Sequence, residues 1–581
     1  MICLHSLFIL SLCVCAAWSA PSQVPMEVPS RVERKLHGRF LHITDMHPDP
    51  HYRPGASQSS ACHSKKPKKE EERSGYYGTP YSDCDSPFRL TNLTLDFLEK
   101  NWASDIDFIL WTGDNARHDN DRKLPRTLNE IYDLNRAVAS RMETAFLSKG
   151  IPVVPSLGNN DVWRELWKAF VPFSSYQVFQ RGAYYSVEVI PNAVAAISLN
   201  TMYFYDSNKA VGGCEYSERG DPGNLQFDWL EVQLQLFRER RMQVWISGHV
   251  PPSPGNYFPE CYVRYVELSL RFQDTILGHI FGHMNNDHFF FVEADDLQFP
   301  PEAGADANGT EAIGGQLEPS AHAELYETLL KDFSELPRTA KKVDLDNYAV
   351  INVSPSVVPN PYLPSFRIYS YNVSNAETAT WGEVELKKTR TERGAKRKHG
   401  HHHGGGNREA LCKKAGYRDS WRCKLREPWN SDPDSPSRRN TLWTPLGYAQ
   451  VRGVLDLQTC LRAGLTSRDN QYYLGEEEIV NKTRKPKFKL EYLTYREDAL
   501  HPARERDEGR FDYPVPVRHL PRSLRAGGKE GRSKYAPYRM RDLTIGTWIG
   551  LGQRLGSGGG SGGGTKLRKR FREYMYMGRV P

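Results

Sequence analysis

Between residues 39 and 201, short apolar runs alternate with amphipathic stretches. Phe40–Thr44 ends in Asp45, Ile106–Trp111 in Thr112-Gly113-Asp114, Val153–Leu157 in Gly158-Asn159, and Val194–Leu199 in Asn200. Further on, Val244–Ser247 leads to Gly248-His249 and Ile276–Phe281 to Gly282-His283. Runs of this length, rich in β-branched and aromatic residues and closed by a turn, predict buried strands. Between them lie helical spacings. Leu128, Ile131, Leu134, Val138, Met142 and Phe146 recur every three or four residues, and so do Phe227, Leu230, Leu234 and Phe237. The pattern predicts an α/β fold whose strand ends converge on one site.

Past residue 293 the pattern changes. Residues from about 295 to 345 are rich in Pro, Gly, Ala and acidic side chains and predict a surface insertion. Strand patterns resume at Tyr348–Val353 and Phe366–Val373. A catalytic segment over 38–375 is expected. Residues 387–407 form a basic, His-rich tract, read as a solvated linker. Residues 411–581 show scattered aromatics with weak periodicity. They include a glycine-rich stretch at 556–564, read as a flexible linker, and a basic tail beyond it.

The first 20 residues, MICLHSLFILSLCVCAAWSA, hold an apolar run too short for an ordinary membrane span, followed by small residues. They predict a secretory signal, with a signal-anchor as the alternative. Seven cysteines remain beyond it. In an oxidising compartment most should pair. Nearness in the chain favours Cys62–Cys84, Cys214–Cys261 and Cys412–Cys423 and leaves Cys460 over, although sequence alone leaves the connectivity open. Sequons at Asn92, Asn308, Asn352, Asn372 and Asn481 are candidate glycosylation sites. Hydrophobic residues make up 39% of the chain and the net charge is +7, a mild basicity compatible with a polyanionic partner.

The candidate chemistry lies at the strand ends: Asp45-x-His47, Gly113-Asp114-Asn115 with His118 four residues after Asp114, Gly158-Asn159-Asn160-Asp161, Gly248-His249, and Gly282-His283-x-Asn285. Hard divalent ions take carboxylate and amide oxygens, and borderline ones take imidazole. Each motif alone is weak. The ordered set resembles the calcineurin-like metallophosphoesterase superfamily over about residues 39–375. The resemblance implies a four-layer α/β/β/α sandwich and two divalent metal ions (Mn, Mg, Zn, Co or Fe). It implies that Asp45 and His47 hold the first metal, Asp114 bridges both, and Asn159, His249 and His283 hold the second. Asn285 stands where that superfamily has a further histidine, and Asn160 where it has the histidine of Gly-Asn-His. His118 becomes the candidate proton donor and Asn160 a candidate substrate contact, with Asp161 orienting its neighbours.

A narrower resemblance is to fungal endopolyphosphatases. HITDMHPDPHY, Cys84-Asp85-Ser86-Pro87, WTGDNARHDND, SLGNNDVW, GHMNNDHF and SPSVVPNPYLPSFRIYSYN carry it. It implies cleavage of internal phosphoanhydride bonds in inorganic polyphosphate, with no nucleic-acid partner. It also implies passage through the secretory pathway to a vacuole lumen or membrane, or secretion, with proteolytic processing; membrane anchoring through the N-terminal segment belongs to the signal-anchor alternative. The rival readings are an acid-sphingomyelinase-like phosphodiesterase and a non-catalytic metal-binding glycoprotein. Asn160 and Asn285 count against the first, and metal-dependent turnover would exclude the second.

Overall fold

A computed structural model describes residues 36–162, 165–299, 319–338, 343–374, 410–426, 432–454, 485–496, 499, 515–525, 533–557 and 563–578. The signal segment, the 387–407 tract, Asn308, Asn481 and Cys460 lie outside the described residues. No described helix is long and apolar enough to cross a membrane.

The apolar runs become strands because neither face of them meets water. β1 (Arg39–Ile43) is buried at every residue. Two short strands follow, β2 (Pro48–Asp49) and β3 (Ser86–Pro87), paired with each other in parallel. Helix α1 (Phe88–Asn101) leads to β4 (Phe108–Trp111), and α2 (Leu128–Ala145) leads to β5 (Val153–Pro155). Thr127 caps α2 by accepting from the Glu130 N–H, at 3.2 Å. α3 (Phe173–Gly182), β6 (Tyr185–Ile190), β7 (Val194–Ser198), α4 (Pro222–Glu239), β8 (Gln243–Ser247), α5 (Pro259–Arg271), β9 (Ile276–Phe281) and β10 (His288–Glu293) follow. Next come α6 (Pro319–Glu335), β11 (Tyr348–Val353), β12 (Ser365–Tyr371), β13 (Pro445–Val454) and β14 (Lys487–Leu493). Helices α7 (Ile545–Gly556) and α8 (Gly563–Met575) complete the set.

Two six-stranded sheets result, ordered β14-β13-β12-β1-β4-β5 and β10-β11-β9-β8-β7-β6. β1, β4 and β5 run parallel in the first, and β7, β8, β9 and β11 in the second. The sheets pack face to face: Trp245 of β8 meets Phe40 of β1 edge-on, at 4.8 Å between centroids. Outside the first sheet, Phe97 of α1 meets Phe366 of β12. Outside the second, Tyr265 of α5 meets Phe281 of β9. This is the expected four-layer sandwich.

Several expectations need correction. The 295–345 stretch is not only surface: α6 buries Leu325, Leu329 and Phe333, and Phe333 stacks on Phe289 of β10. β13 and β14 extend the first sheet with residues beyond 375. Within the tail beyond Leu555, α8 and the residues just after it are docked, with Phe571, Tyr574, Met575, Tyr576 and Met577 all buried. Gly556 serves contact rather than flexibility, since a Cβ there would lie 2.1 Å from the Phe333 carbonyl oxygen. Asn352 is buried in β11 between β10 and β9, so its side chain offers no surface for a glycan. Asn92 is exposed and Asn372 half-buried. The expected disulfides Cys62–Cys84, Cys214–Cys261 and Cys412–Cys423 all form.

Candidate metal centre

All the expected ligands follow the carboxyl ends of parallel strands, where an open α/β sheet presents its loops to a ligand. The β1 end carries Asp45 and His47, β4 carries Asp114, β5 carries Asn159, β8 carries His249, and β9 carries His283 and Asn285. Asp45, His47, Asp114, His283 and Asn285 all have left-handed backbone, with φ of 51°, 39°, 60°, 70° and 55°. Non-glycine residues pay about 1–2 kcal/mol each for this conformation, a strain that concentrates at functional sites. His283 and Asn285 therefore converge through a left-handed turn rather than along an extended segment. Two glycines are required by close approach. A Cβ on Gly158 would lie 2.0 Å from Asp114 Oδ1, and one on Gly282 would lie 2.1 Å from Thr44 Oγ1.

Asp114 lies at the centre. Its Oδ2 is 3.4 Å from His47 Nε2 and 3.2 Å from His249 Nε2. It belongs to both metal-competent groups of the described residues, His47–Asp114–His118 and Asp114–His249–His283. Backbone carbonyls set the imidazoles from behind: His47 Nδ1 donates to Ala116 O and His249 Nδ1 to Thr112 O, both at 2.7 Å. Each Nε2 is thereby turned inward as a ligand atom. Asn159 Oδ1 lies 3.0 Å from His249 Nε2 and 2.9 Å from His283 Nδ1.

The electrostatics suit a cation. Burial works against charge on His47, but Asp114, Asp45 and Asp85 outweigh it and push its pKa up to about 9. Burial is likewise outweighed at His249 by Asp114 and Asp45, again to about 9. Burial also opposes ionisation of Asp114, yet His249 and His47 hold its carboxyl well below the usual range. His283 goes the other way: burial, then the charge of His249, lowers it to about 4. Three buried polar atoms at the centre have no hydrogen-bond partner: Asp45 Oδ1, His47 Nε2 and Asn285 Oδ1. Buried polar atoms are rarely left so, and a carboxylate, an imidazole and an amide oxygen together suit a divalent ion. The residues present fit a metal.

Supporting residues complete the centre. Asp161 orients its neighbours as expected, accepting from the N–H groups of Asp114, Asn115 and Gly158 at 2.6–2.9 Å. Burial and the nearby Asp114 carboxylate raise its pKa to about 6. Asn160, expected to contact substrate, is instead turned to the protein. Its Nδ2 donates to Asp114 Oδ2 at 2.8 Å, and its Oδ1 accepts from Arg126 Nη1 at 2.7 Å. It is a positioning residue for the shared carboxylate. His118 stacks on His47 at 3.9 Å, and its Nδ1 donates to Asp85 Oδ1 at 2.7 Å. The Asp85 carboxylate thus fixes the tautomer and leaves Nε2 to face the site. Asp85 was visible in the sequence only as part of Cys84-Asp85-Ser86-Pro87. The Asn285 loop is anchored through Asp287, whose carboxylate meets Arg367 and Tyr492 and whose N–H donates to Met575 O at 3.4 Å.

Residues 38–285 match the family model described as calcineurin-like phosphoesterase. The chain is 37% identical to an endopolyphosphatase of Cryptococcus neoformans var. neoformans serotype D, over 95% of this chain and 96% of that protein. It is 36% identical to an endopolyphosphatase of Yarrowia lipolytica, over 59% of this chain and 56% of that one. It is 34% identical to that of Saccharomyces cerevisiae, over 60% of this chain and 63% of that one. The chain thus spans less than two thirds of the latter two relatives and nearly all of the first. A centre whose ligand atoms converge on one shared carboxylate, at the strand ends of this sandwich, agrees with those matches: the chain belongs to the endopolyphosphatase family of calcineurin-like phosphoesterases.

Proposed function

We propose that this chain hydrolyses internal phosphoanhydride bonds of inorganic polyphosphate. The observation that carries the reading is the sharing of Asp114 between two ligand groups, one reaching His47 and His118, the other His249 and His283. The names of its relatives support the substrate. Asp45, His47, Asp114 and Asn285 would hold one divalent ion, and Asp114, Asn159, His249 and His283 a second. Such ions supply Lewis acidity towards phosphoryl oxygens and towards water. The two amide oxygens favour harder ions such as Mn²⁺ or Mg²⁺ over Zn, Co or Fe.

The protein's own groups do the rest. Asn160 and Asp161 hold Asp114 and its turn in place. His118, steadied by Asp85 and half-buried, gives the Nε2 proton of its doubly protonated ring to the leaving phosphate oxygen and keeps the Nδ1 proton on Asp85. The apolar N-terminal run and the three disulfides support passage through an oxidising secretory route to a vacuole, with anchoring or processing near the N-terminus. The deciding experiment incubates the purified protein with long-chain polyphosphate, pyrophosphate, nucleotides and sphingomyelin, each with and without chelator. Chelator-sensitive shortening of polyphosphate through intermediate lengths is expected. Turnover of sphingomyelin alone would overturn the reading.

A further inference from the structure

The loop between β4 and α2 carries two arginines with opposite surroundings. Arg117 is buried and engaged on all three of its guanidinium nitrogens. Its Nε and Nη2 grip Glu130, and Nη1 and Nη2 also donate to the carbonyls of His118 and Leu124. Arg126 is engaged on one nitrogen only. Its Nη1 donates to Arg117 O and to Asn160 Oδ1, both at 2.7 Å, and its backbone N–H to Asp119 Oδ1 at 3.1 Å. A guanidinium has five N–H donors. Among the described residues none accepts from Nη2, and Nε is buried without a partner. A buried donor left unpaired is costly, and the Nε–Nη2 edge is the fork that matches two oxygens of a phosphate.

The position of this fork gives it meaning. Asn160 links Arg126 to Asp114: Nη1 to Asn160 Oδ1, then Asn160 Nδ2 to Asp114 Oδ2 at 2.8 Å. The guanidinium thus stands one amide away from the carboxylate common to both ligand groups. His118 lies on the same loop. The loop's own atoms hold the Arg126 backbone and Nη1 before substrate arrives, so binding has only to uncover the Nε–Nη2 edge.

We infer that Arg126 binds, through Nε and Nη2, the phosphoryl unit next to the one under attack, and so selects condensed phosphates over isolated phosphate esters. This rests on the proposed hydrolysis of polyphosphate. The test compares unsubstituted protein, Arg126→Lys and Arg126→Gln on polyphosphate and on p-nitrophenyl phosphate, which has no adjoining phosphoryl unit, with metal content measured throughout. Arg126→Gln should lower kcat/KM for polyphosphate by at least about tenfold more than for p-nitrophenyl phosphate, chiefly through KM, with metal retained. Arg126→Lys keeps the charge without the fork and should fall between. Equal losses on both substrates, or loss of metal, would overturn the inference and leave Arg126 as a support for Asn160. If the unsubstituted protein does not cut polyphosphate, the function reading fails instead. Equilibrium binding of tripolyphosphate then decides Arg126, and equal affinity in the unsubstituted protein and Arg126→Gln would sink it.

Discussion

The two ends of the metal centre are furnished differently. Around Asn159, His249 and His283 the ligand atoms find one another: Asn159 Oδ1 lies within 3.0 Å of a nitrogen on each histidine. Around Asp45, His47 and Asn285 three buried atoms have no hydrogen-bond partner. Both ends are braced from behind, His47 by Ala116 O and His249 by Thr112 O. The contrast is therefore in front, where an ion would sit. His47 Nε2 meets Asp45 Oδ1 at 3.6 Å and Asp114 Oδ2 at 3.4 Å, ion-pair contacts longer than a hydrogen bond, and Asn285 Oδ1 has no hydrogen-bond partner, so a cation entering the first end displaces less. At the second end a cation has to replace contacts the protein already makes. The first end should bind its ion more tightly.

Asp114 is the element that both ends share, and removing its charge should erase the contrast. Asp114→Asn is expected to lower turnover on the order of 10³-fold or more and to empty both ends. Elemental analysis beside a turnover assay checks this, and substantial activity with two bound metals would remove Asp114 as the bridge. His118 tests whether the first end also does proton chemistry. His118→Ala should lower kcat by about 10²-fold with metal content retained, and less for substrates with better leaving groups. Loss of metal would make His118 a ligand.

Asn285 sharpens the contrast itself. Asn285→Ala should weaken the tighter site by about 10-fold in equilibrium dialysis, and Asn285→His should tighten it and shift it towards Zn²⁺. Unchanged affinities with lower stability would make Asn285 structural. The smallest effect concerns His63, which braces the first end by bridging Asp49 and the His118 loop's Asp121, at 2.8 and 3.0 Å. Burial opposes its charge, but Asp49 and Asp121 raise its pKa above the ordinary value. Its contribution is fully present below about pH 6.5 and is lost as pH rises through the higher folded value. His63→Gln should flatten that part of the Tm-versus-pH curve by about a degree or two. An unchanged slope would show that the bridge contributes nothing.

Much of this was legible in the chain. The apolar run Ile276–Phe281 became β9 without a residue of error, and Tyr348–Val353 became β11, because strands covered on both faces leave a mostly apolar run, interrupted here only by Gly278, His279 and Asn352. The ligands were legible because glycine and a polar residue mark where such a strand turns. Other elements hid their pattern. β13 and β14 carry register shifts that break the alternation of faces. In α8, Phe571, Tyr574 and Met575 are masked by the basic residues from Lys566 to Arg572 around them. The roles of Asp85, Asn160 and Arg126 depend on partners more than 30 positions away, which no local pattern displays.

The docking of α8 bears on when the protein can become active. Asp287, two residues past Asn285, donates to Met575 O, while Tyr81, near the Asp85 strand, donates to Met577 O. Tyr576 packs on Tyr362, beside the Asn360 carbonyl that accepts from the Asn285 amide. On the ribosome, every metal ligand is synthesised hundreds of residues before these braces exist. The loop that carries Asn285 gains its last supports only once the chain is made through Met577. A nascent chain therefore holds all its ligands well before it holds them in place, and translation itself delays assembly of the centre.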